Sequence, residues 1–149
     1  MPNYNIIIPI FNEEENINLI NDTIKSLNIN HKFTITFIDD GSTDNSLKII
    51  KDICSKDNNN NFISFSRNFG HQIALSAGID FSNSDAVIMM DADLQHDETV
   101  LPKLIKPVLE GRADLAVGTR YAQGGGDGGC TAAARSAWVG GRMRDGIIW

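Results

Sequence analysis

Five short apolar runs, each closed by a polar cluster and separated from the next by helical periodicity, limit what this chain can fold into. The runs are Tyr4–Pro9, Phe33–Ile38, Phe62–Phe65, Ala86–Met90 and Ala113–Val117. They are rich in β-branched and aromatic residues, and their near-continuous hydrophobicity is that of strands buried on both faces. Between them lie amphipathic stretches. Asn12 is expected to open the first helix, with Glu15 as its capping-box partner and Ile17, Ile20, Ile24 and Leu27 as one apolar stripe. Ser42 or Thr43 is expected to cap a second helix carrying Leu47, Ile50 and Ile53. A third, His71–Phe81, has Ala74, Ala77 and Gly78 for close packing, and a fourth, Thr99–Glu110, is weakened by Pro102 and Pro107. Asp57–Asn61 reads as a polar surface turn. Repeated β-α-β units of this kind predict an α/β fold, a mainly parallel sheet with helices on both faces.

In such a sheet, ligands bind beyond the carboxyl ends of the strands. Each run here ends in a polar cluster at that edge: Asn12-Glu13, Asp39-Asp40, Arg67-Asn68, Asp91-Ala92-Asp93 and Gly118-Thr119-Arg120. Five such ends describe one site. The segment Asp91-Ala92-Asp93-Leu94-Gln95-His96 is the most specific. In extended chain, alternate side chains share a face, so Asp91, Asp93 and Gln95 present three oxygen donors together. Hard oxygen donors suit Mg²⁺ or Mn²⁺, and a D-x-D pair of this type holds the metal of a diphosphate. Taken alone, the pair reads more readily as a helix-capping, solvated acidic loop; the other four clusters shift the reading to the metal.

Composition narrows the partners. A net charge of −6 over 149 residues argues against nucleic acid, which asks for a basic face, and fits an acidic site that borrows a metal to hold phosphates. Cys54 and Cys130 have no metal-binding spacing and read as free thiols in a reducing compartment. No signal peptide or membrane-spanning run is legible, so the expectation is a cytoplasmic location, free or at the cytoplasmic face of a membrane, with membrane association only peripheral or through segments missing here. The composition breaks near residue 110. Ten of thirteen glycines lie from Gly111 onward, and no lysine follows Lys106. The expected organisation is a main domain over residues 1–122 and an atypical Gly/Ala-rich tail over 123–149, poorly ordered or loosely packed and without a clear strand pattern.

The ordered motifs Ile8-Pro9-Ile10-Phe11-Asn12-Glu13-Glu14, Ile38-Asp39-Asp40-Gly41-Ser42-Thr43-Asp44, Ser66-Arg67-Asn68-Phe69-Gly70-His71, Asp91-Ala92-Asp93-Leu94-Gln95-His96 and Gly118-Thr119-Arg120-Tyr121 resemble those of family 2 glycosyltransferases with the GT-A, Rossmann-like fold. The nearest match is to polyprenyl-phosphate sugar transferases such as dolichyl-phosphate mannose synthases and bactoprenol glucosyltransferases. The resemblance covers about residues 4–126. It implies a metal-dependent, inverting transfer of a sugar from a UDP- or GDP-linked donor, with a polyprenyl phosphate as acceptor. It also implies roles. Pro9, Phe11, Glu13, Asp39, Arg67 and Asp91 would bind the nucleotide-sugar. Asp91, Asp93 and Gln95 would hold the metal, and Asp93 and Arg120 would act in catalysis. Phe11 stands where the family often has Tyr, so a hydroxyl contact is lost.

The chemistry is consistent with charge. Displacing a nucleoside diphosphate from a sugar C1 builds negative charge that a divalent cation stabilises. A lipid phosphate acceptor is already an anion and needs no general base; neither His71 nor His96 is read as one. A hydroxyl acceptor would need a carboxylate base, for which Asp127 is the nearby candidate. The family domain continues well past the Gly-Thr-Arg strand, so an alternative is a truncated, non-catalytic nucleotide-sugar-binding module. A phosphorelay receiver is disfavoured because no lysine follows the late strands.

Overall fold

The computed structural model describes residues 3–27, 32–93, 101–110, 112–113, 115–118, 130–132 and 147–148. The elements, in chain order, are β1 (Asn3–Ile10), α1 (Ile17–Ser26), β2 (Lys32–Asp39), α2 (Ser46–Lys56), β3 (Asn60–Ser64), α3 (His71–Phe81), β4 (Ala86–Met89), α4 (Leu101–Leu109), β5 (Leu115–Gly118), β6 (Cys130–Ala132) and β7 (Ile147–Ile148). One sheet holds all these strands in the order β3-β2-β1-β4-β7-β5-β6. Every pairing is parallel except β5 with β6. The mainly parallel α/β architecture expected from the alternating runs is the one observed.

The period-2 alternation of β1 divides the core. Tyr4, Ile6, Ile8 and Ile10 face one side, where Ile35 and Phe37 of β2 join them under Ile17, Ile20 and Ile24 of α1, Ile50 and Ile53 of α2, and Leu101, Leu104 and Ile105 of α4. Ile7 and Ile38 face the other side and pack against Ala74 and Leu75 of α3. β1 is therefore buried on both faces, as its unbroken isoleucine run requires. Gly78 lets α3 lie close to the sheet: a Cβ there would stand 2.5 Å from Ile7 Cγ2.

Several local expectations are corrected. The first helix begins at Ile17 rather than at Asn12. Asn12 is held in the left-handed region (φ 55°), because its N–H donates to Ser42 Oγ and its side-chain oxygen accepts from the Thr43 N–H. These bonds to the next loop replace the capping box. The second helix starts at Ser46 with Asn45, not Ser42 or Thr43, at the N-cap position; Asp44 Oδ1 instead accepts from the Ser46 N–H at 2.9 Å. Asn60 is no surface-turn residue. It opens β3 opposite Ile35, is buried, and donates through its amide to Asn21 Oδ1 of α1.

Five residues of the expected tail do form strand. Cys130–Ala132 pairs with β5, and Ile147–Ile148 runs parallel between β4 and β5, inside the sheet. Two-residue and three-residue strands are too short to show a period in sequence; their partners define them.

Candidate functional site

Strand order fixes where a ligand can enter. β2 and β3 lie on one side of β1, and the chain then returns to place β4 on the other side. The reversal makes the gap between the carboxyl ends of β1 and β4 the topological switch point, the place where α/β sheets bind ligands. Proline chemistry opens it. The last β1–β4 bond runs from the Met90 N–H to the Ile7 carbonyl at 3.0 Å. Backbone groups alternate edges along a strand, so the Pro9 nitrogen also faces β4. Having no N–H, Pro9 cannot continue that ladder. β1 still pairs with β2 through Ile10 and Asp39.

Phe11, Asn12 and Glu13 leave the β1 end on one side of this gap. Phe11 is exposed, with 45% of its surface accessible. Glu13 Oε2 accepts from the Asn16 amide at 2.7 Å, and the Glu13 N–H donates to Ser46 Oγ at 3.0 Å. Glu14 Oε2 accepts from both the N–H and the side-chain amide of Asn45, each at 2.8 Å, while the Glu14 N–H donates to Asp44. The β1–α1 and β2–α2 loops are thus laced together. Burial pushes the Asp44 carboxyl up, but hydrogen bonds from Ser46 and the Glu14 backbone outweigh it and hold Asp44 below the usual carboxylate range.

At the β2 end, both aspartates are buried and each carboxylate is engaged. Asp39 accepts from the Ser42 N–H (3.2 Å) and from the Ser64 hydroxyl (3.0 Å). Asp40 accepts from the Phe69 N–H (2.7 Å) and the Gly70 N–H (2.9 Å), which clamps the β3–α3 loop. Gly41, at φ +70°, brings the two loops to backbone contact; a Cβ there would lie 2.4 Å from the Arg67 carbonyl carbon. On the clamped loop, the Arg67 guanidinium stacks 4.4 Å from the Phe69 ring centroid, and Phe65 meets Phe69 edge-on at 5.5 Å.

The β4 end carries the acidic pair. Regular strand stops at Met89, and Ala92 and Asp93 form a turn, yet burial still alternates: Met90 and Ala92 are buried, Asp91 is half-buried and Asp93 exposed. His71, in the first turn of α3, brings Nε2 within 3.6 Å of Asp91 Oδ1. Gln95, His96 and Arg120 lie outside the described residues. Among the described residues, no group of three or more His, Cys, Asp and Glu side chains is arranged to hold a metal ion. Asp91 and Asp93 carry hard carboxylate oxygens two residues apart, a chemistry that would suit a divalent cation whose other ligands came from a bound diphosphate.

Sequence reasoning placed Asp40 and Gly41 at this corner but gave them no role, and it did not foresee the His71 contact. The Asp-Asp-Gly triplet marked the corner. Nothing in spacing says which aspartate holds which loop, or that residue 71 meets residue 91.

A family model described as "Glycosyl transferase family 2" matches residues 5–146. Among curated relatives, CsbB of Bacillus subtilis is 45% identical over 108 residues, covering 71% of this chain and 33% of that protein. An undecaprenyl-phosphate 4-deoxy-4-formamido-L-arabinose transferase of Proteus mirabilis is 37% identical over 118 residues, covering 77% of this chain and 36% of that protein. A bactoprenol glucosyl transferase of Shigella phage SfX is 38% identical over 117 residues, with 77% and 38% covered. The chain spans about a third of the length of these relatives. Among solved structures, S. aureus TarS residues 1–349 in complex with UDP superimposes with a TM-score of 0.63 at 23% identity, covering 77% of this chain and 35% of that one. The likeness assigns the GT-A, Rossmann-like fold.

Proposed function

The chain belongs to glycosyl transferase family 2, and from that membership we propose that it is the donor-binding part of an inverting, metal-dependent transferase that moves a sugar from a nucleoside-diphosphate sugar to a polyprenyl phosphate. The observation that carries the reading is the opening of β1 from β4 at Pro9, which leaves Phe11 and Glu13 on one side of the switch point and Asp91 and Asp93 on the other. Relatives named for transfer to undecaprenyl phosphate and bactoprenol support the acceptor class, and a fold neighbour solved with UDP supports a nucleotide donor.

Phe11 packs on the base in this reading, while Glu13 and Asp39 offer it hydrogen-bond acceptors. Both Asp39 oxygens accept protein hydrogen bonds, so a base contact uses a remaining lone pair on one of them. Arg67 would approach the diphosphate or the ribose, and Arg120 would neutralise phosphate charge. Asp91, Asp93 and Gln95 would hold a Mg²⁺ or Mn²⁺ ion, which would supply Lewis-acid stabilisation of the leaving group. Transfer is a single displacement. A lipid-phosphate oxygen bonds to sugar C1 as the bond from C1 to the diphosphate oxygen breaks, and the electron pair leaves with the nucleoside diphosphate. No proton need move. Among the described residues, no helix is long and apolar enough to cross a membrane, so the lipid acceptor would be met at a surface or through other segments of the protein.

Calorimetry with UDP and GDP, with and without Mn²⁺, tests the donor site. Wild type should bind one nucleotide more tightly with Mn²⁺, and Asp93→Ala should remove that gain. Unchanged Mn²⁺-dependent affinity in Asp93→Ala sinks the metal assignment. Radiolabelled transfer to a short-chain polyprenyl phosphate then separates a transferase from a module that only binds.

A further inference from the structure

We propose that Phe69 is a positioning residue for Arg67: its ring is a shelf that holds the guanidinium at the carboxyl edge of the sheet and leaves the in-plane N–H donors for the diphosphate of the nucleotide. The inference rests on the donor-site reading above, in which Arg67 meets the nucleotide, and adds a residue that reading does not use.

The backbone around Arg67 is pinned on both sides. The Phe65 N–H donates to the Asp39 carbonyl at 2.8 Å. The Phe69 and Gly70 N–H groups donate to the buried Asp40 carboxylate at 2.7 and 2.9 Å. Between these anchors Gly41 lies against the Arg67 and Asn68 backbone, with no room for a Cβ. The pins fix where the Arg67 side chain starts. They leave open where its charge ends, because that side chain is long and rich in rotamers. The Phe69 ring supplies the missing restraint. The guanidinium carbon stands 4.4 Å from the ring centroid, inside cation–π range. The ring in turn meets Phe65 edge-on, with centroids 5.5 Å apart. Phe65 packs against the core cluster of Ile7, Ile38, Ala74 and Leu75. The charge is thus tied to the core through both rings.

What the stack leaves unused points to an anion. A guanidinium stacks through its face, and its N–H donors lie in the plane of the group, so stacking consumes none of them. Among the described residues, the Arg67 guanidinium makes no ion pair and no hydrogen bond. The carboxylates of the neighbouring loop are engaged by other donors, Asp39 by Ser42 and Ser64, Asp40 by Phe69 and Gly70. Phe69 keeps 41% of its surface exposed, so the cation rests at the open edge of the sheet and not within the core. A planar fork of donors there matches the paired oxygens of a phosphate.

The test uses the whole chain with Mn²⁺, calorimetry with UDP and with GDP, and the variants Phe69→Leu, Phe69→Tyr, Arg67→Met and the double variant Arg67→Met with Phe69→Leu. Arg67→Met should weaken nucleotide binding about tenfold or more, the scale of a lost charge-assisted hydrogen bond. It should also flatten the dependence of affinity on added NaCl, which screens charge. Phe69→Leu should weaken binding about two- to fivefold, the scale of an exposed cation–π contact, and Phe69→Tyr, which keeps the ring, should bind as wild type does. The deciding readout is the double-mutant cycle. In the Arg67→Met background, Phe69→Leu should cost nothing further, a result that a purely structural role for the ring would not produce. A Phe69→Leu loss that persists undiminished without Arg67 overturns the proposal, and so does wild-type affinity in Phe69→Leu; the donor-site reading then stands on the Arg67→Met loss. Unchanged salt dependence in Arg67→Met overturns the diphosphate as the target. If wild type binds neither nucleotide, the donor-site reading fails first and this inference falls with it.

Discussion

Gly41 is where two loops touch backbone to backbone, and one carbon atom would part them. Its φ of +70° already disfavours any side chain, and the atoms a Cβ would meet are the Arg67 carbonyl carbon at 2.4 Å and the Asn68 nitrogen at 2.6 Å. Backbone cannot rotate out of the way as a long side chain can. Gly41→Ala should therefore lower stability by about 2 kcal/mol or more, from strain and overpacking together. Urea unfolding measures this, and a midpoint equal to wild type would show that the loops part cheaply. The Asp-Asp-Gly triplet was legible as a turn in sequence. The division of labour was not: Asp39 ties its own loop to β3, while Asp40 reaches about thirty positions ahead to the start of α3.

At the scale of elements, carboxylates join segments distant in sequence. Asp44 anchors the β1–α1 loop to α2. Asp57, after α2, accepts from Lys25 of α1 at 2.7 Å, and this hydrogen bond first, with one from the Asn59 backbone next, holds the Asp57 carboxyl below its ordinary value. A carboxyl whose folded pKa lies below its unfolded one favours the folded state above the unfolded value, and that contribution is lost as pH falls through the folded value. Stability should thus be level near neutrality and decline as pH drops from about 4, where free aspartate titrates, downward. Lys25→Met should flatten part of that decline, and Asp44→Asn another part. The Lys25 share is small, below about 1 kcal/mol, because the pair is partly exposed. Urea midpoints measured across acidic pH would show it; parallel curves for wild type and both variants would refute the assignment. Helix starts belong to this scale too. Asn12 looked like a cap because its side chain suits one, yet that same side chain found a better acceptor role with Thr43.

For the whole molecule, the sheet is completed by residues that sequence alone had set aside as tail. β7 occupies an interior position, with Val87 opposite Ile147 on one side and Leu115 opposite Ile147 on the other. An interior strand needs its backbone donors. Ile148→Pro should cost about 3 kcal/mol, the scale of a proline forced into regular structure. A loose tail would tolerate it with no shift in the urea midpoint, so the measurement decides between the two pictures. The amino-acid sequence by itself determined the fold class, the burial of β1 on both faces and the family, because each of these rests on local periodicity or on motifs read within a few residues. It also put the acidic and aromatic candidates at the carboxyl edge of the sheet. Tertiary structure alone decided which strands neighbour one another, that β1 parts from β4 at Pro9, that β7 inserts between β4 and β5, and that His71 meets Asp91. Those facts depend on contacts between residues tens of positions apart, whose free energy no local pattern encodes.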